Sequence, residues 1–328
     1  MEGVVPSGIR LVSVPAPKGA AVDIYLPIAE VSVNWPFLVL LGATVGFVSG
    51  LFGIGGGFLM APILVFLGIP PAVAVASQAS HVVASSTSGV IRYSGMKQVD
   101  YKIGGLMAVG GALGAFGGVE LFRLLRLLGQ ADLVVSVSYL IFLGSIGLMM
   151  VFESLTKILQ RVRGETPKRK ERRRPMWLYG LPFRMRFPRS GLYISAIPPF
   201  GLGVFAGVLS AIMGVGGGFI LVPAMLYVLR MKASVVVGTS LFQIIITTAI
   251  TTILQSGRNQ TVDIVLSMIL LIGGVIGAQY GARLSGRFRA EEMRAALGFI
   301  VLFVGIQMGL DLFVRPTELF LLAPGIGD

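Results

Sequence analysis

Gly46-Phe-Val-Ser-Gly-Leu-Phe-Gly-Ile-Gly-Gly-Gly-Phe-Leu-Met-Ala-Pro62 returns later in the chain as Gly207-Val-Leu-Ser-Ala-Ile-Met-Gly-Val-Gly-Gly-Gly-Phe-Ile-Leu-Val-Pro223. The Ser, the Gly, the triple Gly, the Phe and the Pro coincide at one constant offset. With small gaps the match continues: Val75-Ala-Ser77-Gln78 pairs with Val237-Gly-Thr239-Ser240, Ser94-Gly95 with Ser256-Gly257, and Val99-Asp100 with Val262-Asp263. Gly110-Gly-Ala-Leu-Gly-Ala115 then pairs with Gly273-Gly-Val-Ile-Gly-Ala278. Self-similarity on this scale means that one unit has been duplicated.

The unit is made for lipid. Of 328 residues 55% are hydrophobic and only 13% charged, with a mean hydropathy of +0.86, whereas a soluble domain carries about 25% charged residues. The 45 glycines suit helices that approach closely in a bilayer. The expected class is an all-α polytopic membrane protein; soluble enzymes, nucleic-acid-binding modules and disordered scaffolds fit poorly. With no Cys and one His, disulfides, thiolate sites and His-rich metal sites are excluded, and neither a metal nor a cofactor is expected. No nucleotide-binding loop, Ser/His/Asp set or pair of membrane carboxylates is present, so the chain reads as neither an ATP-driven pump nor an enzyme.

Each half holds five apolar segments, at about 35–52, 57–68, 72–91, 103–122 and 133–153, then 194–213, 218–229, 235–255, 264–282 and 295–313. The second of each five is short, about a dozen residues, nearer a half-helix or re-entrant segment than a span. Whether the first two segments both cross or form a re-entrant hairpin, the chain returns to the same side, and three crossings follow. That odd parity makes the repeats inverted. The expected organisation is an external tail 1–33, a first transmembrane repeat 34–153, a basic loop 154–192, a second repeat 193–314 and an external tail 315–328.

The net charge of +12 is concentrated. Twelve cations between Ser154 and Ser190 face only Glu165 and Glu171, which leaves +10 of the total in one stretch. This is the positive-inside signature of a cytoplasmic loop, and its aromatics among arginines would also suit anionic membrane lipids. The run Gly164–Pro175 is expected to be disordered. The remaining basic loops sort to the same side, which puts both termini outside.

Two features carry the chemistry. Gly53-Ile-Gly-Gly-Gly-Phe and Gly214-Val-Gly-Gly-Gly-Phe interrupt apolar segments where continuous helix would be cheapest. Paired glycine breaks in inverted repeats point to a transporter's binding site: unwound backbone followed by a helix start offers free N–H groups and a positive dipole end. Gly55, Gly56 and Gly57, with Gly216, Gly217 and Gly218, are the candidate donors to an anion; plain tight packing is the competing reading. Ala at Gly217 is expected to fold, since Ala exceeds Gly in helix propensity by about 1 kcal/mol. The second feature is a polar stripe. Ser77, His81, Ser85 and Ser88 fall on one helical face beside Gln78, and the other half repeats it with Thr239, Gln243 and Thr247 flanked by Ser240, while Thr248 matches Ser86. Polar groups in hydrocarbon face a bundle interior or a wet path. His81 would either carry a coupling proton or sit neutral in a hydrogen bond; its counterpart Gln243 cannot titrate. Gly110, Gly114 and Gly118, matched by Gly273, Gly277 and Gly281, read as helix-packing seams, and Glu120 as an interfacial partner of Arg123.

The doubled Gly-x-Gly-Gly-Gly-Phe-x-x-x-Pro, followed by the Ala-Ser or Gly-Thr-Ser stretch, resembles the sulfite exporter TauE/SafE family of membrane permeases, over residues 35–128 and 200–310. The resemblance implies movement of sulfur-containing anions such as sulfite, thiosulfate or organosulfonates across a bacterial cytoplasmic membrane, usually outward. The expected function is a secondary transporter, an exporter of a small anionic substrate, with coupling to a proton left open. A passive anion channel and a membrane scaffold acting through the basic loop are the alternatives.

Overall fold

The computed structural model describes residues 23–52, 54–162, 182–284 and 290–314. The tails 1–22 and 315–328, and the basic run 163–181 with its expected disorder, lie outside the described residues. Among the described residues ten helices follow the ten expected segments: α1 (Trp35–Phe52), α2 (Gly57–Phe66), α3 (Pro71–Gly95), α4 (Tyr101–Leu127), α5 (Ala131–Val162), then α6 (Ile197–Met213), α7 (Gly218–Tyr227), α8 (Ala233–Asn259), α9 (Ile264–Leu284) and α10 (Ala290–Val314). Among the described residues, five stretches are long and apolar enough to cross a membrane: Trp35–Phe52, Tyr101–Leu127, Ala131–Phe152, Ser234–Asn259 and Ile264–Leu284. The short helices α2 and α7 have ten residues each. At 1.5 Å per residue they reach about 15 Å, half of a ~30 Å hydrocarbon layer.

One feature carries no apolar signal in the sequence. Before the first helix of each half lies an antiparallel hairpin, β1 (Asp23–Leu26) with β2 (Val31–Asn34), and β3 (Arg184–Phe187) with β4 (Leu192–Ser195). Their registers match residue for residue: Asp23 faces Asn34 as Arg184 faces Ser195. Leu26 and Phe187, each followed by Pro, are buried at the bend. Asn34 and Ser195 then start the helices, their side-chain oxygens accepting from Phe37 N at 3.2 Å and Ile197 N at 3.2 Å.

Packing exchanges partners between the halves. α1 lies along α9 and α4 along α6, while α3 meets α8 and α5 meets α10. The first two pairs are glycine seams. Gly42, Gly46 and Gly50 press on Leu270, Gly274 and Ala278; Gly203 and Gly207 press on Met107 and Gly111. From the opposite side Gly273, Gly277 and Gly281 meet Val39, Ala43 and Phe47, and Gly110, Gly114 and Gly118 meet Phe200, Val204 and Val208. A β-carbon at any of these would run into facing backbone, as the small-residue seams require. On α5 and α10 the segments Phe142-Leu-Gly144 and Phe303-Val-Gly305 correspond, and Gly144 sits against Gly305.

Polar and apolar residues are placed as lipid demands. Ile91, Leu113, Leu127, Ile253, Met268 and Phe303 are exposed, while Ser77, Gln78, His81, Thr239, Gln243, Thr247, Asp100 and Asp263 are buried. In water this arrangement would be costly; in hydrocarbon it is the stable one.

Candidate functional site

The two glycine breaks lie against each other. α1 ends at Phe52 and α2 restarts at Gly57; α6 ends at Met213 and α7 restarts at Gly218. Both restarts are preceded by left-handed glycines, Gly56 at φ 72° and Gly217 at φ 73°, and no side chain caps either helix. A β-carbon at Gly57 would come within 2.9 Å of Val215 Cα, and one at Gly218 would collide with the Ile54 carbonyl. Two sets of helix-start N–H groups, which have no partner inside their own helices, therefore converge in the protein interior.

The long helices α3 and α8 flank this meeting point. Val82 and Ile244, repeat counterparts, touch both breaks. Beside the first break lies Ser85, whose hydroxyl donates to Gly55 O at 3.4 Å and to Val82 O at 3.2 Å. Ser86, next to Gly55, and Thr248, next to Gly216, are both fully buried with hydroxyl oxygens that have no partner. Ser49, against Gly56, is the same. Three unpaired buried hydroxyls at two uncapped helix starts form a donor cluster in need of an acceptor. The stripe pattern points to Ser85 and Thr247; of the two only Ser85 lies at a break, while its neighbour Ser86, the α8 residue Thr248 and the α1 residue Ser49 face the breaks. The repeat of Ser49 as Ser210 and of Ser86 as Thr248 was the available signal.

The family model described as Sulfite exporter TauE/SafE matches residues 38–308. The chain belongs to the sulfite exporter TauE/SafE family. Among curated proteins it is similar to a probable membrane transporter protein of Xylella fastidiosa (strain 9a5c), 28% identical over 81% of this chain and 92% of that relative. A probable membrane transporter protein of Bacillus subtilis, YjnA, is 25% identical over 83% of this chain and 98% of its own length. The sulfite exporter TauE/SafE family protein 3 of Arabidopsis thaliana is 31% identical over 33% of this chain and 23% of its own length. No solved structure matches the chain.

In this TauE/SafE chain the rest of the polar stripe is divided among four kinds of place. Ser77 and Thr239 hold helix starts: Ser77 Oγ accepts from Asp263 N at 2.8 Å, and Thr239 Oγ1 from Asp100 N at 2.9 Å. Each aspartate in turn ties a hairpin. Asp100 Oδ2 accepts from Ser190 N at 3.0 Å and Ser190 Oγ at 2.6 Å; Asp263 Oδ2 accepts from Ile28 N at 3.0 Å. His81 and Gln243 lie on the seams. His81 Nε2 is 3.3 Å from Gly42 O, and its ring fills the space that a side chain at Gly274 would take. Gln243 Nε2 donates to Thr247 Oγ1 at 2.7 Å, both facing Gly111. Gln78 reaches the end of α6, and Ser240 donates to Val237 O at 2.9 Å within its own helix.

Two sequence-based details change. Gly217 is a helix cap at positive φ, and its β-carbon would fall 2.8 Å from Ala206 Cβ; the helix-interior propensity that favours Ala does not apply there. Glu120 pairs with Arg258 of α8 as well as with Arg123, which lies at 3.7 Å. Among the described residues no cluster of His, Cys, Asp and Glu could hold a metal ion.

Proposed function

We propose that the chain is a secondary transporter that moves small sulfur-containing anions, such as sulfite, thiosulfate or organosulfonates, outward across a bacterial cytoplasmic membrane. The observation that carries this reading is the pair of uncapped helix starts at Gly57 and Gly218, set face to face beside the unpaired hydroxyls of Ser49, Ser86 and Thr248. Neutral donors and positive dipole ends stabilise an anion without a buried cation. The family's description supplies the sulfur oxyanion.

Alternating access follows from reading the halves as inverted repeats. What supports that reading is the antiparallel course of α3 and α8. The start of α3 is bonded to Asp263, just past the end of α8, and the start of α8 to Asp100, just past the end of α3. The exchange of helix partners between the halves agrees with it. On this topology the basic stretch 154–192 lies in the cytoplasm, the termini lie outside, and Val82 and Ile244 close the path between the breaks until the repeats rock apart. His81, with Nδ1 unpartnered, is the group assigned to a coupling proton.

Counterflow in proteoliposomes tests the reading. Unlabelled sulfite inside should accelerate uptake of radiolabelled sulfite, with saturation. Flux that rises linearly with concentration and ignores internal sulfite would instead identify a channel, and no sulfite or thiosulfate flux would remove the substrate assignment.

A further inference from the structure

Gln243, Thr247, Thr251, Gln255 and Asn259 of α8 recur at every fourth residue and are all buried. At 3.6 residues per turn they form a polar ladder that winds slowly along the helix. Its rungs are joined. Gln243 Nε2 donates to Thr247 Oγ1 at 2.7 Å; Thr251 Oγ1 donates to Thr247 O at 2.9 Å and lies 3.4 Å from Ser210 Oγ. Gln255 Nε2 donates to Ala211 O at 3.0 Å. Asn259 Nδ2 donates to Gln255 Oε1, and Arg126 Nη1 of α4 donates to the Asn259 carbonyl. The ladder passes the depth of the glycine breaks where Thr248 adjoins Gly216, and it ends with the last residue of α8. From Thr248 to Asn259 the helix rises about 16 Å, half of a ~30 Å hydrocarbon layer.

Two features set this ladder apart from hydrogen bonds that merely hold helices together. The wall it faces is made of small residues, Gly111 of α4 with Ser210 and Ala211 of α6, so no bulky side chain stands across from the donors. The duplicated frame also does not require it. Ser77, His81 and Ser85 of α3 correspond to Thr239, Gln243 and Thr247, which makes Gly89 the counterpart of Thr251. At Gly89 the space is filled by Leu241, within an apolar cluster that includes Val82, Val99 and Ile244. Toward one membrane surface the breaks are followed by apolar packing, and toward the other by hydroxyls and amides. Polar side chains kept inside a membrane bundle mark substrate pathways.

These donors can change partner. A helical threonine has two favoured rotamers, one of which bonds a carbonyl a turn back, and an amide carries two N–H donors. We propose that Thr247, Thr251, Gln255 and Asn259 line the outer half of the anion's path, from the glycine breaks to a mouth beside Arg126. This rests on the anion-transport reading above, whose topology puts the end of α8 outside. As the repeats rock apart, the anion exchanges the backbone N–H groups of the breaks for hydroxyls and then for amides, and needs no buried cation on the way.

The chain has no Cys, so single cysteines report on the path. Thr251→Cys and Gln255→Cys, in proteoliposomes and intact cells, should be modified from outside by a small anionic thiosulfonate reagent. Modification should quicken during sulfite transport and then block it. Ile253→Cys, exposed on the lipid side of the same helix, should stay unmodified, because a charged reagent does not enter hydrocarbon. Thr251→Val, close to isosteric, should lower Vmax for sulfite about 2- to 10-fold, the worth of one hydrogen bond, with little change in unfolding temperature. Cysteine variants that transport but are not modified, or are modified only from inside, would overturn the proposal. So would a Thr251→Val protein that melts earlier and keeps its Vmax, and this variant decides should the cysteine variants fail to fold. Absence of sulfite counterflow in wild type removes the anion reading and this inference with it; counterflow with both cysteines inert removes only this inference.

Discussion

Replacing Gly217 by Ala asks whether the glycine break is a backbone device or a convenience of packing. The residue sits at φ 73°, where an L side chain costs about 1–2 kcal/mol. Its β-carbon would stand 2.8 Å from Ala206 Cβ and 3.0 Å from Ala206 O. Relieving that overlap moves α7 from α6 and costs a further ~1–3 kcal/mol. The sum is about 2–5 kcal/mol, with no helix-propensity gain to set against it because the residue is a cap. Gly117 provides the contrast: it lies mid-helix in α4 with open space around the site of a β-carbon, so Ala there should be neutral or stabilise by about 1 kcal/mol. The assay is thermal unfolding of the purified variants in detergent, paired with sulfite counterflow. Gly217→Ala should melt about 4–10 °C lower, at roughly 2 °C per kcal/mol, and lose affinity for sulfite. If Gly217→Ala melts with wild type and transports with the same KM, the geometric argument for the breaks is wrong.

The remaining predictions concern the residues around the breaks. Ser86→Ala and Thr248→Val remove hydroxyls that have no partner, so each should leave unfolding unchanged while raising the KM for sulfite about 2- to 10-fold, the worth of one hydrogen bond; a loss of stability with unchanged KM would assign them to packing. Asp100→Ala should cost about 2–4 kcal/mol, since it uncaps α4 and strands the Ser190 donors. Asp263→Ala, which uncaps α9 and frees Ile28 N, should cost a similar amount, and denaturant melts that respond to only one of them would break the equivalence of the halves. His81→Gln, the residue carried by the other repeat, should keep counterflow but lose stimulation by an imposed pH gradient; retained stimulation would place coupling elsewhere.

The fold was legible because two signals agree in this chain. Apolar segments of bilayer length gave the helices, and the repeated Gly-x-Gly-Gly-Gly-Phe gave both breaks with the short helices behind them. The glycine seams were legible too, since Gly110, Gly114 and Gly118 have counterparts that occupy the same face. The hairpins were not. Leu26-Pro27 and Phe187-Pro188 are the signs of their bends, and four-residue strands carry too little periodicity to stand out from a tail or a charged loop. The stripe shared one face as its spacing required, but one helical face in a bundle meets several neighbours along its length. Ser77 therefore meets Asp263, His81 meets Gly42 and Gly274, and only Ser85 and its neighbour Ser86 reach the break. Spacing along a helix gives the direction a side chain takes, and what waits there is set by the other helices.

Selenite, the heavier analogue of sulfite, allows the anion to be located directly. Crystals of the protein soaked in selenite and measured at the selenium absorption edge should show an anomalous peak between residues 55–57 and 216–218, within hydrogen-bond reach (~3 Å) of the backbone N–H groups and of the Ser86 or Thr248 hydroxyl. A peak against the arginines at the ends of α4 and α8, Arg126 and Arg258, with none at the glycine breaks, would contradict the account.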